Sequence, residues 1–587
     1  MPDPVLKQGK KRHGTIYFLL FSVAIGVISA AGALVFRTLI ELFQTAFWPP
    51  GTTFLGQTLA ASPWLTILIP ALGGLVAGIF IYRWVPEAKG PGVPEVIAAV
   101  ATRQSIIRHR VTFLKALITS LLIGSGASVG REGPIVQIGA SAGSSIAQLF
   151  RLDPDMRRVC LASGAAAGIA ATFNAPITGT LFALEIILLD IEVAYISHII
   201  VAAVIASVLS RFFWGNFPTF EAQAFHLNHY GELIIFLFLG LLAGIAGITF
   251  LRLLSGITRT FDRLKTPEWI KPGLGGLLLG IIALWCPNVL GVGYETVNEA
   301  LANSLGLKIA LVLLIVKMLA TALCIGSGMS GGIFAPSLFW GASLGLAVGI
   351  VAEQLFPALA IAPGNFALVG MGAVVAGTTL APITAILTIF ELTNNYETIL
   401  PLMVACIAST LVVRTLYGYS AYEMKLLHQG INLVRGHDVG VLQHLHVRDF
   451  MSVEFEAIRT FTPLSEIAVR MEQAVFPHFI VLNEKDELTG VLSLRDLKGT
   501  FPDYEDLRDV IVAADLMSKD VISIAQKDTL EKALYLFEEY RFSLIPVTQS
   551  TDQRAVVGVL IKDDLLRAYR EQVLKDRVLS SMIQRPG

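Results

Sequence analysis

Between about residue 16 and residue 435 the chain is a succession of apolar segments. Many are cut by glycine and proline before they reach the roughly twenty residues of an uninterrupted membrane helix. The stretches 69–80, 120–140, 160–187 and 324–350 are of this kind. No water inside a bilayer can satisfy a broken backbone, so interrupted spans must meet one another or line a cavity. The pattern predicts half-helices that meet inside the membrane, as in transporters. Composition agrees: 54% of the 587 residues are hydrophobic and 15% charged, and the mean hydropathy of +0.67 is too apolar for a soluble chain of this size. Charge is unevenly placed, with 46 Asp, Glu, Lys and Arg in residues 1–435 and 43 in 436–587. The last quarter reads as a soluble unit appended to a membrane unit.

A net charge of −1 argues against a nucleic-acid partner, because phosphate binding needs a basic surface. Cys160, Cys286, Cys324 and Cys406 lie far apart in apolar stretches, without metal-ligand spacing, and read as small buried residues. Lys7, Lys10, Lys11 and Arg12 precede the first apolar stretch, Ile16 to Trp48, which is too long for the core of a signal peptide. Basic residues at this place favour a cytoplasmic N-terminus, and the charged tail is then expected in the cytoplasm too.

An internal repeat organises the membrane part. Pro70-Ala-Leu-Gly-Gly-Leu75 recurs as Pro272-Gly-Leu-Gly-Gly-Leu277, and Gly90-Pro-Gly-Val-Pro-Glu-Val96 as Gly291-Val-Gly-Tyr-Glu-Thr-Val297. Lys115 and Lys317 each stand nine residues before the glycine that opens the next match. That match is Gly124-Ser-Gly-Ala-Ser-Val-Gly-Arg-Glu-Gly-Pro134 with Gly326-Ser-Gly-Met-Ser-Gly-Gly-Ile-Phe-Ala-Pro336. Ala175-Pro-Ile-Thr178 recurs as Ala381-Pro-Ile-Thr384, and Glu185 and Glu391 each follow the proline by nine residues. The offsets, 202, 201, 202, 202 and 206, stay in register along the chain. The membrane unit is thus two homologous halves, near 60–215 and 262–415; the residues alone leave parallel and inverted arrangements open.

The tail carries its own repeat. Asp449-Phe-Met-Ser452 matches Asp515-Leu-Met-Ser518, and Gly490-Val-Leu-Ser-Leu-Arg-Asp496 matches Gly558-Val-Leu-Ile-Lys-Asp-Asp564. Short β-branched runs alternate with amphipathic helices at Leu464–Gln473 and Leu530–Tyr540, an α/β pattern.

An anion inside a bilayer needs positive potential, yet full cationic side chains are costly there and would hold it too tightly. Helix N-termini offer a gentler field, about half a positive charge each, and glycine lets backbone approach an ion closely. The segments 90–94, 130–134 and 332–336 have this composition and are candidate helix N-termini aimed at one site. Taken singly, each is better explained by tight helix packing; taken as a set in two repeats, they favour the anion site. Glu132 is the ionisable group among them. Its carboxylate could occupy an anion site as a tethered anion and release it on protonation, acting as gate and proton carrier; the competing reading is a salt bridge to Arg131.

Gly130-Arg-Glu-Gly-Pro134 resembles the gating-glutamate motif of the CLC family of chloride channels and anion/proton antiporters. Gly331-Gly-Ile-Phe-Ala-Pro336 resembles that family's second anion-binding segment and Gly90-Pro-Gly-Val-Pro94 its first, while Tyr422 matches the tyrosine whose hydroxyl reaches the anion. The tail is similar to a pair of CBS modules, at about 446–500 and 512–571. The resemblance implies an all-α polytopic membrane domain over 1–435, built of two inverted repeats of broken helices. A cytoplasmic α/β CBS pair over 436–587 follows. It implies a homodimer in membrane lipid with one anion pathway per subunit, for chloride or nitrate and with protons where transport is coupled. In the roles it implies, amides around Gly90, Pro91, Gly92 and Val93, and at Ile333 and Phe334, hold the anion, Tyr422 caps it and Glu132 gates. No cofactor is required; the CBS pair implies an adenine nucleotide near Ser493, Asp496 and Asp564.

Two departures matter. Pro91 replaces the family's usual serine and removes a hydroxyl donor, as in nitrate-preferring plant members. Ile186 follows Glu185 where family antiporters often carry a second, proton-handling glutamate, so a channel and an antiporter both stay open. In the second CBS module Ile561 stands where the first has Ser493. Two rivals are weaker. An intramembrane hydrolase would need a general base beside Ser125 or Ser163, and His198 has no motif around it. A CBS-bearing cation transporter would need a path lined by carboxylates, and intramembrane acids are few.

Overall fold

The computed structural model describes residues 4–189, 193–215, 220, 225, 227, 229–428, 431, 445–473, 478–497, 504–519, 521–540, 543–550, 555–562 and 565. The chain divides into two units, Met1–Leu433 and Val434–Gly587.

In the first unit α1 (Pro4–Phe47) and α2 (Phe54–Leu59) precede two series of seven helices. The first series is α3 (Pro63–Trp84), α4 (Val93–Thr102), α5 (Arg110–Gly124), α6 (Glu132–Leu149), α7 (Pro154–Phe173), α8 (Pro176–Phe182, continued by a π-helical stretch Ala183–Leu188) and α9 (Val193–Trp214). After α10 (Glu232–Arg263) the second is α11 (Lys271–Ala283), α12 (Tyr294–Leu301), α13 (Leu307–Gly326), α14 (Phe334–Leu355), α15 (Pro363–Thr379), α16 (Pro382–Thr393) and α17 (Ile399–Leu416); α18 (Ala421–His428) closes the unit. Several helices begin where the sequence supplies proline in the first turn or a capping side chain, as at Asp153, whose carboxylate accepts from the Met156 amide at 2.9 Å. Among the described residues seven helices are long and apolar enough to cross a membrane, while α4 and α16 are apolar but short. This is a multi-pass membrane unit of whole and broken helices.

α3 shows what the bilayer does to amphipathicity. Leu68, Leu72, Val76 and Ile79 are exposed on one face, and Pro70, Gly73, Gly74, Ala77 and Gly78 are buried on the other. Large apolar residues face outward and small ones pack inward, because lipid is as apolar as leucine and close packing draws the helices together. The buried face meets α11. A β-carbon on Gly74 would strike the Pro272 carbonyl, one on Gly276 the Pro70 carbonyl, one on Gly78 the Trp269 carbonyl, and one on Gly280 the backbone at Thr66 and Ile67. As position advances along α3 its partner falls back along α11. Repeat-equivalent helices therefore run antiparallel, and since α3 is long enough to span, the second half is inverted on the first. Each half also packs its own glycine-lined pair, α6 on α7 through Gly139 and Gly164, and α14 on α15 through Gly341 and Gly370.

The second unit repeats one motif. Strands β1 (Ala457–Arg459), β2 (His478–Leu482) and β3 (Leu488–Ser493) form a sheet with β1 parallel and β3 antiparallel to β2. Strands β4 (Ile524–Ala525), β5 (Leu544–Thr548) and β6 (Val556–Ile561) pair in the same way. Each sheet carries a register shift at the same place, Val481/Leu482 and Val547/Thr548. The matching Met-Ser segments are exchanged between repeats: Ser452 pairs with Val559 and Ser518 with Val491. Helices α19 (Leu464–Gln473) and α20 (Leu530–Tyr540) bury Leu464 and Ile467, and Leu530, Ala533 and Phe537, in the two cores.

Candidate functional site

Each of the three glycine-rich segments opens a helix: α4 begins at Val93, α6 at Glu132 and α14 at Phe334. Backbone contacts knit them together. Gly130 and Gly332 exchange two N–H···O bonds of 2.7 Å, and Gly90 donates to the Met329 carbonyl at 3.1 Å and accepts from the Gly331 amide at 3.3 Å. Gly92, the N-cap of α4, has φ 87°, open to glycine without strain, and its repeat mate Gly293 has φ 86°. A β-carbon on Gly133 would collide with the Pro91 carbonyl, so the starts of α4 and α6 touch backbone to backbone. The amides of Val93, Ile333 and Phe334 have no backbone carbonyl partner among the described residues. The starts of α4, α6 and α14 thus converge, and α4 and α14 bring amides with no backbone partner, a place for negative charge.

Glu132 occupies that place. It is 1% exposed. Its Oε2 accepts from the Ala335 amide at 3.2 Å and its Oε1 from the Tyr294 hydroxyl at 3.0 Å. The carboxylate sits on the first turn of α14 as a bound anion would. Arg131 is turned aside, its guanidinium 5.1 Å from the ring centre of Tyr294 and 5.9 Å from that of Phe173. The alternative of an Arg131–Glu132 salt bridge is not what forms.

Tyr422 is buried near the start of α18. One turn on, Lys425 donates to the Lys89 carbonyl at 2.9 Å and to Glu95 at 3.2 Å, fastening α18 to the segment that carries Gly90, Pro91, Gly92 and Val93. Buried lysines hold the loops from behind. Lys115 donates to the carbonyls of Ala88 and Gly90 at 2.8 and 3.1 Å, and Lys317 to those of Val289 and Gly291 at 3.0 and 2.8 Å.

A family model described as voltage gated chloride channel matches residues 73–414, over half the chain. The chain belongs to the CLC family. A further model, the CBS domain, matches residues 447–502 and 512–571. The H(+)/Cl(−) exchange transporter ClcA of Vibrio parahaemolyticus is 33% identical over 438 residues, which cover 73% of this chain and 93% of that protein. ClcA of Yersinia pseudotuberculosis is 32% identical over 70% and 87%. Among solved structures, a slow cyanobacterial Cl−/H+ antiporter superposes with a TM-score of 0.65 at 29% identity, covering 70% of this chain and 97% of that one. A eukaryotic CLC transporter shares the fold, with a TM-score of 0.61 at 23% identity over 94% of this chain and 98% of its own.

Within this CLC frame the two glutamates after the Ala-Pro-Ile-Thr motifs are reciprocal caps. Glu185 accepts from the amides of Ile383 and Thr384 at the start of α16, at 3.2 and 2.7 Å. Glu391 accepts from those of Ile177 and Thr178 at the start of α8, at 3.0 and 2.6 Å. Each half seals an N-terminus of the other, a structural task. Ile186 is buried in the π-helical stretch, which packs against α4.

In the CBS unit Ser493 donates through both its amide and its hydroxyl to Asp496 Oδ2, at 2.8 and 2.7 Å, so that oxygen is engaged locally. His478 meets Ser543 of the second repeat at 2.8 Å, and burial lowers its basicity while the Asp496 carboxylate opposes that shift. Asp564 lies outside the described residues.

Two site residues escape sequence reasoning. Ala335 supplies the amide that Glu132 engages, one residue beyond the expected Ile333 and Phe334. Tyr294 reaches the carboxylate from the second copy of the Gly90–Val96 motif, a place that repeat register marks but residue type alone does not.

Proposed function

We propose that this protein carries small inorganic anions, chloride among them, across a membrane through a pathway that Glu132 closes. The observation that carries the reading is the Glu132 carboxylate on the first turn of α14, held at the Ala335 amide where an anion would bind. Gly90, Pro91, Gly92 and Val93 with Ile333 and Phe334 form the cradle, and Tyr422 covers it. The kinship with exchangers favours proton antiport. Ile186, which cannot titrate where many family antiporters carry glutamate, favours flux with weak or no coupling. Purified protein in liposomes under a chloride gradient, with anion efflux and proton movement recorded together, tests both; no anion flux would end the proposal.

The basic cluster Lys7, Lys10, Lys11 and Arg12 supports a cytoplasmic N-terminus, and with it a cytoplasmic CBS pair. Family kinship supports a homodimer with one pathway per subunit. At the CBS pair the reading is an adenine nucleotide approached by Ser493 and Asp496, with a partial fit because Asp496 Oδ2 already takes two local bonds.

Tyr422→Ala removes a hydroxyl donor and the aromatic cover, and is expected to weaken anion binding by about 1 kcal/mol. Calorimetric titration checks this, and unchanged affinity removes Tyr422 from the site.

Nitrate is expected to be carried at least as well as chloride. Pro91 offers neither hydroxyl nor N–H, and it lies before the N-cap Gly92, outside the helix, so it is no ordinary first-turn proline. Compact, strongly hydrated chloride suffers more from a missing point donor than diffuse nitrate. One hydrogen bond to a charged group contributes about 1.5–3 kcal/mol, of which only part discriminates because both anions lose it. Pro91→Ser should shift preference toward chloride in competition flux; identical ratios in the two proteins would exclude this role.

A further inference from the structure

We propose that Tyr294 is a positioning residue that latches Glu132 in the closed position, an inference that rests on reading Glu132 as the gate. The two carboxylate oxygens are held by different elements: Oε2 by the Ala335 amide at the start of α14, and Oε1 by the Tyr294 hydroxyl at the start of α12. The backbone donor belongs to the cradle and would serve any anion there. The hydroxyl comes from outside the three segments that form the cradle.

Tyr294 is itself tightly held. Phe220 meets its ring edge-on, centroids 5.1 Å apart at 78°, and the Arg131 guanidinium lies 5.1 Å from the ring centre. The next residue, Glu295, accepts from the amides of Phe54 and Leu55 at 2.8 and 2.9 Å, which fastens the first turn of α12 to α2. A hydroxyl on so constrained a ring loses little freedom when it binds, so its bond is worth more than one from a mobile side chain.

The far side of Tyr294 explains why a latch sits here. With Arg37, Glu41, Phe54, Arg131 and Glu295 it lines a cavity of about 190 Å³ that Glu132 does not line. Tyr294 thus borders the cavity and also bonds the carboxylate. A glutamate leaving its site toward this cavity gives up the Tyr294 bond and passes the ring. In the repeat, the offset of 201 that aligns Gly291 with Gly90 puts Tyr294 opposite Val93. One copy of the motif supplies anion-facing amides and the other the hydroxyl on the gate.

Tyr294→Phe keeps the ring, its contact with Phe220 and its place under Arg131, and removes only the hydroxyl. Anion efflux from liposomes is expected to rise about tenfold, the loss of one hydrogen bond to a charged group. In the Glu132→Ala background the same change should have no effect, because there is no carboxylate to hold. Unaltered efflux in the parent background overturns the proposal. So does equal acceleration in both backgrounds, which would mean that Tyr294 acts on the shape of the cavity. If Glu132→Ala alone leaves efflux as it was, the gate reading itself falls, a result separate from failure of the latch.

Discussion

Replacing Glu132 by alanine is expected to raise anion efflux at neutral pH by about tenfold or more and to abolish any accompanying proton movement. On the proposed reading, the parent's carboxylate competes with the transported anion for the same donors. It accepts from Tyr294 and Ala335 and sits at the starts of α6 and α14. Each hydrogen bond to a charged group contributes roughly 1.5–3 kcal/mol, and each 1.4 kcal/mol is tenfold in an equilibrium. A side chain tethered beside the site also competes at high effective concentration. Alanine takes no part in that competition and has no proton to move. Paired recording of anion and proton flux checks both parts. Proton-coupled transport that survives in Glu132→Ala would show that Glu132 is not the gate.

Gly133→Ala is expected to cost more than its single methyl suggests. The added carbon would collide with the Pro91 carbonyl oxygen, and the Gly332 backbone lies 3.3 Å away on another side. Both neighbours are main chain, so no side chain can rotate out of the way. Either α4 and α6 separate at their N-termini or the methyl is not accommodated. Overpacking of this kind typically costs about 1–3 kcal/mol, and here the strain falls on the backbone of the proposed anion cradle. We expect at least a tenfold loss of anion affinity together with a lowered melting temperature. Gly256→Ala is the control: nothing lies within 4 Å of the added methyl, which sits in the middle of α10, and alanine favours helix. Equal behaviour of the two variants would refute the close-approach argument.

Much of this was legible in the residues, for identifiable reasons. Glycine and proline interrupted the apolar runs at 90–94, 130–134 and 332–336, and α4, α6 and α14 begin there. At 69–80 the expected break does not occur: Pro70, Gly73 and Gly74 lie inside the continuous α3, where Pro70 and Gly74 serve its close packing on α11. The repeat was readable as spacing, but its inversion was not. That needed the contacts of Gly74 with Pro272 and of Gly276 with Pro70, because direction across a membrane leaves no mark on the order of residues. Arg131, adjacent in sequence, offered a competing salt bridge to Glu132; neighbours on a starting helix point apart, and it packs on aromatic rings instead. Tyr294 stayed hidden because its role depends on which loop the fold lays beside Glu132, 162 residues away. Glu185 and Glu391 were visible as a matched pair, and their exchange of caps explains why both halves retain the acid.

The paired bonds of Gly130 and Gly332 lie on the axis that relates the two halves. The register that pairs those glycines sets Glu132 against Phe334. On one side of the axis stands an acid, on the other a benzyl group that no pH change can alter. The scaffold is nearly palindromic across the membrane, and the proposed gate is not. Acidifying the two faces of a vesicle is therefore not equivalent, and a population inserted in both orientations should respond as two populations. If Glu132 is the gate, sidedness in this molecule rests on one carboxylate that the symmetry does not copy.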